Sequence, residues 1–82
     1  MSTHRLIVVR ATWDQDASVW VATSDDVPGL VTEADTFDAL RAKVPGMVGE
    51  LLELEGGTGG LPEIPVHIIA EHTTRIPNPR AA

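Results

Sequence analysis

Cysteine is absent from this 82-residue chain, so neither a disulfide nor a thiolate metal site can supplement its core. Aromatic residues are few, with two tryptophans, one phenylalanine and no tyrosine. A chain of this length forms one domain whose small core gives only marginal stability. Self-association is the remaining way to bury more apolar surface. We therefore expect a homodimer or a higher homo-oligomer.

Basic residues and long apolar runs are also scarce. Six Lys and Arg residues against twelve Asp and Glu residues give a formal net charge of −6. The basic residues are scattered along the chain, which disfavours direct binding of DNA or RNA. An acidic surface suits a basic partner instead. The apolar run near the N-terminus is too short for a signal peptide or a membrane span, so we expect a cytoplasmic protein that makes no contact with membranes.

Two β-strands are predicted near the N-terminus, over residues 5–13 and 18–24, with a polar turn between them. A four-residue loop places Trp13 opposite Ser18 and Ala11 opposite Trp20. Strand alternation then gives the hairpin two apolar faces. One face carries Ile7, Val9, Ala11, Trp13, Trp20 and Ala22, and the other carries Leu6, Val8, Val19 and Val21.

A turn, a short edge strand and a helix follow. Pro28 and Gly29 suit the second and third positions of a type II turn, and a strand over residues 30–34 comes next. Thr36 is the predicted N-cap of a helix that ends near Glu55. Spacings of three and four define its apolar stripe, which consists of Phe37, Leu40, Val44, Met47, Val48, Leu51 and Leu52. Because Pro45 lies inside the stripe, we expect one kinked helix.

Glycines end the helix and open a Gly/Pro-rich linker over residues 56–63. This run precedes no helix and has no lysine nearby, so we expect no phosphate-binding loop. A last strand is predicted over residues 66–74, followed by a flexible tail over residues 76–82. The order β-β-β-α-β predicts one α+β domain over residues 1–82, with the helix packed on one face of an antiparallel sheet.

Candidate catalytic and metal-binding residues do not converge. Asp25 and Asp26 are neighbours in an extended segment, so their side chains point in opposite directions. His67 and Glu71 share one face of the last strand, whereas His72 faces the other way. A metal site needs three or four converging ligands. The sequence therefore predicts no catalytic residue, no metal and no cofactor.

The turn and the start of the helix carry a family resemblance. The segment Asp26-Val27-Pro28-Gly29, the following short strand and the step Ala34-Asp35-Thr36 resemble the HicB-like antitoxin family, over about residues 5–55. Short stand-alone members are the most similar, and Pro45 within the helix is compatible with them. In that family this domain binds a small basic RNA-cleaving toxin. The family's separate C-terminal DNA-binding unit is missing after the last strand, so we expect no operon repression by this chain alone.

The resemblance implies a non-enzymatic interaction domain, either an antitoxin or an orphan relative of one, with a HicA-like toxin as its partner. The expected partner-binding residues are the acids of the turn and the third strand, namely Asp25, Asp26, Glu33 and Asp35. The alternative is a self-assembling accessory domain that binds a small ligand near Trp13 and Trp20. Hydrolysis by Asp25, Asp26 and His67 around a metal is the least favoured hypothesis.

Overall fold

The computed structural model describes residues 6–56 and 62–81, which form four β-strands and one α-helix. In chain order these are β1 (Ile7–Asp14), β2 (Val19–Thr23), β3 (Val31–Ala34), α1 (Phe37–Leu54) and β4 (Val66–Glu71). The strands form one sheet in the order β3-β2-β1-β4, and α1 packs on it. The predicted α+β class and element order are confirmed. In these two ranges no helix has the length and hydropathy needed to cross a membrane.

The sheet is mixed rather than purely antiparallel, because β4 pairs with β1 in parallel. The first three strands form an antiparallel meander, so β3 runs in the same direction as β1. The 18-residue helix α1 is about 27 Å long and returns the chain to the end of the sheet where β3 began. The next strand therefore repeats the direction of β3, which makes it parallel to β1. It ends at Glu71, three residues earlier than predicted.

The register of the first hairpin differs by two residues from the predicted one. Trp13 pairs with Trp20 rather than with Ser18, and Ala11 pairs with Ala22. A shift of two residues keeps every side chain on its predicted face, because the side-chain period of a strand is two. The two predicted faces of the hairpin are therefore correct although the pairing is not.

The turn of this hairpin explains the register. Asp14 belongs to β1, and its Oδ1 accepts the backbone N–H groups of Asp16 at 3.0 Å and Ala17 at 3.2 Å. Ser18 adopts a positive φ of 56° before β2 begins. The four-residue loop is therefore 15–18, one residue later than predicted.

Helix α1 covers the face of the sheet that carries the tryptophans. The fully or almost fully buried residues are Ile7, Val9, Ala11 and Ala22 of the sheet, Val27 and Leu30 of the turn, and Leu40, Val44, Val48 and Leu52 of α1. Each large aliphatic side chain buried there contributes roughly 1.5–3 kcal/mol. The opposite face, with Leu6, Val8, Val19 and Val21, holds no buried side chain.

Both ends of α1 follow the sequence signals. The Thr36 hydroxyl accepts the N–H of Ala39 at 3.1 Å, as expected of an N-cap. The helix continues through Pro45, whose side chain is exposed. The prediction of one helix rather than two is therefore confirmed. Just beyond the helix, Gly56 has a φ of 106° and donates its N–H to the carbonyl of Glu53 at 3.1 Å.

The Pro-Gly turn before β3 has the predicted geometry. Leu30 donates its N–H to the carbonyl of Val27 at 3.1 Å, and Gly29 has a φ of 90° at the third position. That φ favours glycine, because a Cβ strains the backbone there.

Substitution of two glycines by alanine should have opposite effects. Gly29→Ala should lower the free energy of unfolding by about 1 kcal/mol, because the backbone is strained at this positive φ. A clash is not the cause, because the nearest heavy atom, Cδ2 of Leu51, is 3.8 Å from the added Cβ. Gly49→Ala within α1, where the Cβ meets nothing within 4 Å, should raise it by about 0.5–1 kcal/mol. Urea denaturation measures both, and effects of the same sign would contradict this assignment.

Candidate functional site

The face of the sheet opposite α1, which we call the open face, is the main candidate for binding. Alternation and register place on it Leu6, Val8, Arg10, Thr12, Val19, Val21, Thr23, Val31, Glu33, His67, Ile69 and Glu71. None of these side chains is buried, and those of Leu6 and Val31 are 54% and 67% exposed. An uncovered group of aliphatic side chains among polar ones is typical of an interaction surface.

Arg10 supplies a positive charge to the middle of this face. Its Nη1 lies 3.1 Å from Oε1 of Glu71, and the two side chains are 62% and 47% exposed. Exposed pairs of this kind contribute only about 0–1 kcal/mol to stability. The guanidinium therefore stays accessible to a partner despite its ion pair.

The two adjacent aspartates have different roles, and Asp26 is structural. Its Oδ2 accepts the backbone N–H of Val8 at 2.8 Å, and its own N–H donates to Oγ of Ser24 at 3.0 Å. The Ser24 hydroxyl donates to the carbonyl of Val8 at 2.6 Å. The β1–β2 register, if continued, would pair Val8 with Asp25. Two side chains thus replace the backbone hydrogen bonds that a longer β2 would make.

Alanine substitution should separate the two aspartates. Asp26→Ala should lower the free energy of unfolding by about 1 kcal/mol, because the N–H of Val8 loses its acceptor. Asp25→Ala should change it by less than about 0.5 kcal/mol, as expected of an exposed side chain. Chemical denaturation of both variants tests this, and equal losses would rule out the structural role of Asp26.

A shallow depression of about 260 Å³ lies beside this junction, lined by Val8, Arg10, Thr23, Ser24, Asp25 and Asp26. It combines one guanidinium with two carboxylates at an open surface. Sites for small molecules are usually more enclosed and mainly apolar. The depression is better suited to a polar side chain of a protein partner.

The hydrolytic hypothesis requires Asp25, Asp26 and His67 to converge, and the structure does not bring them together. His67 pairs with Val8 on the side of β1 away from β2, while the continued register puts Asp25 on the other side. Adjacent strands are about 4.8 Å apart, so His67 and Asp25 are separated by about 10 Å. Within residues 6–56 and 62–81, no three or more His, Asp or Glu residues are grouped so that they could hold a metal ion.

The predicted partner-binding acids are all exposed but do not form one cluster. Asp25 and Asp26 precede β3, Glu33 pairs with Val21 on the open face, and Asp35 follows the end of β3. In the part of the chain that the structure describes, the carboxylates of Asp25, Glu33 and Asp35 make no hydrogen bond or ion pair. We call these three residues the acidic margin. Their role in binding stays a prediction.

Four rings pack together at the hairpin end of the sheet, on the face covered by α1. The ring centroid of Trp20 lies 5.5 Å from that of Trp13 and 5.7 Å from that of Phe37. His72 lies 6.4 Å from Trp13 and 6.5 Å from Trp20, and all these contacts are edge-to-face. The two tryptophans therefore contact other rings. The ligand-binding alternative would instead require that they line a pocket.

The contact of His72 with the tryptophans was not predicted from the sequence, because it depends on the direction of the last strand. The parallel register, continued beyond Ala11–Ala70 and Thr12–Glu71, pairs His72 with Trp13. An antiparallel arrangement of the last strand does not lead to this pairing. The contact is therefore a consequence of the direction of β4.

Comparison with protein families accounts for most of the chain. A family model described as a domain of unknown function, DUF1902, matches residues 6–77. The chain belongs to the DUF1902 family. The matched range includes all four strands, α1 and the first six residues after β4.

One solved structure resembles this DUF1902 chain over most of its length. The crystal structure of hypothetical protein TTHA1013 from the extremely thermophilic bacterium Thermus thermophilus has a TM-score of 0.64 and 49% sequence identity. The similarity covers 90% of this chain and 100% of the other. No curated protein matches the chain. Neither description states an activity.

Proposed function

We propose that this DUF1902 domain is a non-enzymatic protein-interaction domain of the HicB-like type, an antitoxin or an orphan relative, that binds a small basic protein. The observation that carries the proposal is an uncovered sheet face with aliphatic side chains among polar ones, bordered by carboxylates that have no partner among the described residues. The sequence resemblance supports the class of partner, a HicA-like RNA-cleaving toxin. Such a toxin acts where RNA is, so we place the complex in the cytoplasm.

The distribution of charge supports a basic partner. Residues 1–71 contain all twelve acidic residues and four basic ones, a net charge of −8, and residues 72–82 add two arginines. All twelve acidic residues are exposed. A surface with this excess of one sign attracts an oppositely charged protein and accelerates its association.

The arrangement of apolar and charged groups also suits a protein partner. Val8, Val19 and Val21 are half-buried on the two central strands, while Glu33 lies on the edge strand β3 next to Val21. Protein interfaces commonly join an apolar centre with a polar rim. A basic residue that binds Glu33 would bring the partner over the valines.

The proposed mechanism is competition and needs no chemistry on this chain. A protein that cleaves RNA must bind phosphate groups, and it does so with Lys and Arg side chains. The acidic margin offers carboxylates to those same side chains. The bound domain then covers the surface with which the toxin binds RNA.

Charge reversal should test the acidic margin. The triple variant Asp25→Lys, Glu33→Lys, Asp35→Lys should associate with a HicA-type protein about tenfold more slowly than the unaltered chain at low salt. Asp26 is kept, because its substitution would disturb β1. The control Glu50→Lys, Glu53→Lys, Glu63→Lys changes the net charge equally at exposed positions elsewhere.

Surface plasmon resonance with the immobilised basic protein measures both variants. Association of the unaltered chain should slow as salt rises, because exposed charges are screened beyond about 8 Å at physiological ionic strength. If the margin variant and its control associate at the same rate, net charge rather than this surface governs binding.

The non-enzymatic character of the domain has its own test. Inhibition of RNA cleavage by the basic protein should rise linearly with added domain and saturate at a fixed molar ratio, because binding consumes one domain for each site. The measurement is cleavage of a fluorescent RNA at increasing concentrations of domain. Complete inhibition by a small fraction of a molar equivalent would instead indicate catalysis.

A further inference from the structure

The two edges of the sheet differ in how their backbone is protected. The edge strand β3 has four residues, and the ammonium group of Lys43 donates to the carbonyl of Glu33 on it. Short length and charged side chains are common devices against edge pairing. The other edge strand, β4, has six residues, VHIIAE, without proline, lysine or arginine. Among the described strands, none lies beyond it.

The direction of the backbone groups along β4 shows which of them are available. Ile7 donates its N–H to the carbonyl of Pro65 at 3.1 Å, so odd-numbered residues of this segment direct their backbone groups towards β1. The even-numbered residues Val66, Ile68 and Ala70 direct theirs outwards. A row of outward N–H and C=O groups is a template for another strand.

The chain continues past β4 as residues 73–81, which we call the arm. All nine residues are exposed, and Ile76 is 78% exposed. The exposure of all nine residues indicates that the arm does not pack on the rest of the domain, although the family match includes it as far as Pro77.

The composition of the arm suits an extended strand on an acidic surface. Thr73, Thr74 and Ile76 are β-branched, and the arm carries two arginines and no acid. Pro77 is at an odd-numbered position, so its missing N–H is on the inner side and leaves the outward row intact. A turn in which Ala81 donates its N–H to the carbonyl of Asn78, at 3.1 Å, ends the extended part.

We propose that β4 and the arm pair antiparallel with the same segment of a second copy of this chain, about a two-fold axis at Thr73. The two sheets then join into one sheet of eight strands, and each edge protects the other. In this register Arg75 faces Glu71 of the second copy, and Ile76 faces its Ala70. An axis at Glu71 would oppose the two Glu71 carboxylates, and one at His72 would place no basic residue of the second copy opposite either of them.

The outward backbone groups of β4 favour the edge over the open face as the contact between copies, because a second strand can pair with a row of free N–H and C=O groups. Edge pairing also leaves the acidic margin free, because its residues lie on the β2 and β3 side of β1, whereas β4 lies on the other side.

Sedimentation equilibrium of the full chain at micromolar concentration tests the proposal, and a dimer is expected. Ala70→Pro removes an outward N–H but no bond to β1, so it should yield a folded monomer with unchanged far-UV circular dichroism. Arg75→Glu should raise the dimer dissociation constant about tenfold, because the two-fold axis doubles each opposed pair. Glu71→Arg combined with Arg75→Glu should restore the dimer when Arg10→Glu is added, because Arg10→Glu keeps the ion pair within the chain with its signs reversed. Arg41→Glu on α1 is the control.

A monomeric unaltered chain would overturn the proposal. So would a dimer that withstands both Ala70→Pro and Arg75→Glu but dissociates with Val21→Glu, since that result would assign the contact to the open face. Loss of the dimer in the charge-swap variant that includes Arg10→Glu would overturn the register. Binding of a basic protein is a separate measurement, because the variants used for it lie at the other side of the sheet.

Discussion

One helix covers one face of a sheet that carries aliphatic side chains on both faces, and this constraint shapes the rest of the molecule. The 18 residues of α1 place Leu40, Val44, Val48 and Leu52 in one stripe, which can cover a single face. It covers the face on which Ala11 and Ala22 pair at the centre. Small residues there leave room for the aliphatic side chains of the helix. The other face keeps its valines exposed or half-buried, which makes it available for contacts outside the chain.

The faces and the helix were predictable from the sequence because they depend on local periodicity. Alternation along residues 7–22 assigned each side chain to its face, and the cap at Thr36 and the turn at Gly29 follow from their own backbone requirements. The direction of β4 was not predictable in this way. It depends on where α1 delivers the chain, which is a property of the whole fold. The contact of His72 with the tryptophans depends on that direction.

The candidate site was predictable only in part, because one residue type serves different purposes in it. Asp26 and Asp25 are both exposed aspartates, yet the carboxylate of Asp26 accepts the N–H of Val8, 18 positions earlier in the chain. No spacing rule reveals a bond over that distance. The same limit applies to Glu71, which pairs with Arg10 across the parallel strands. The carboxylates of the acidic margin differ from these because no described group uses them.

The two edge strands of the sheet, β3 and β4, also differ in how their backbone is protected. At β3 the backbone is protected by Lys43 and by charge, so this side can present the acidic margin without the risk of pairing with other strands. At β4 no described side chain binds the outward backbone groups, so these groups remain available. Residues 1–71 carry a net charge of −8, and residues 72–82 carry +2. These opposite charges suit pairing between copies as well as binding of a basic protein. In our proposals self-association uses β4 and the basic partner binds at the acidic margin, so the one need not exclude the other.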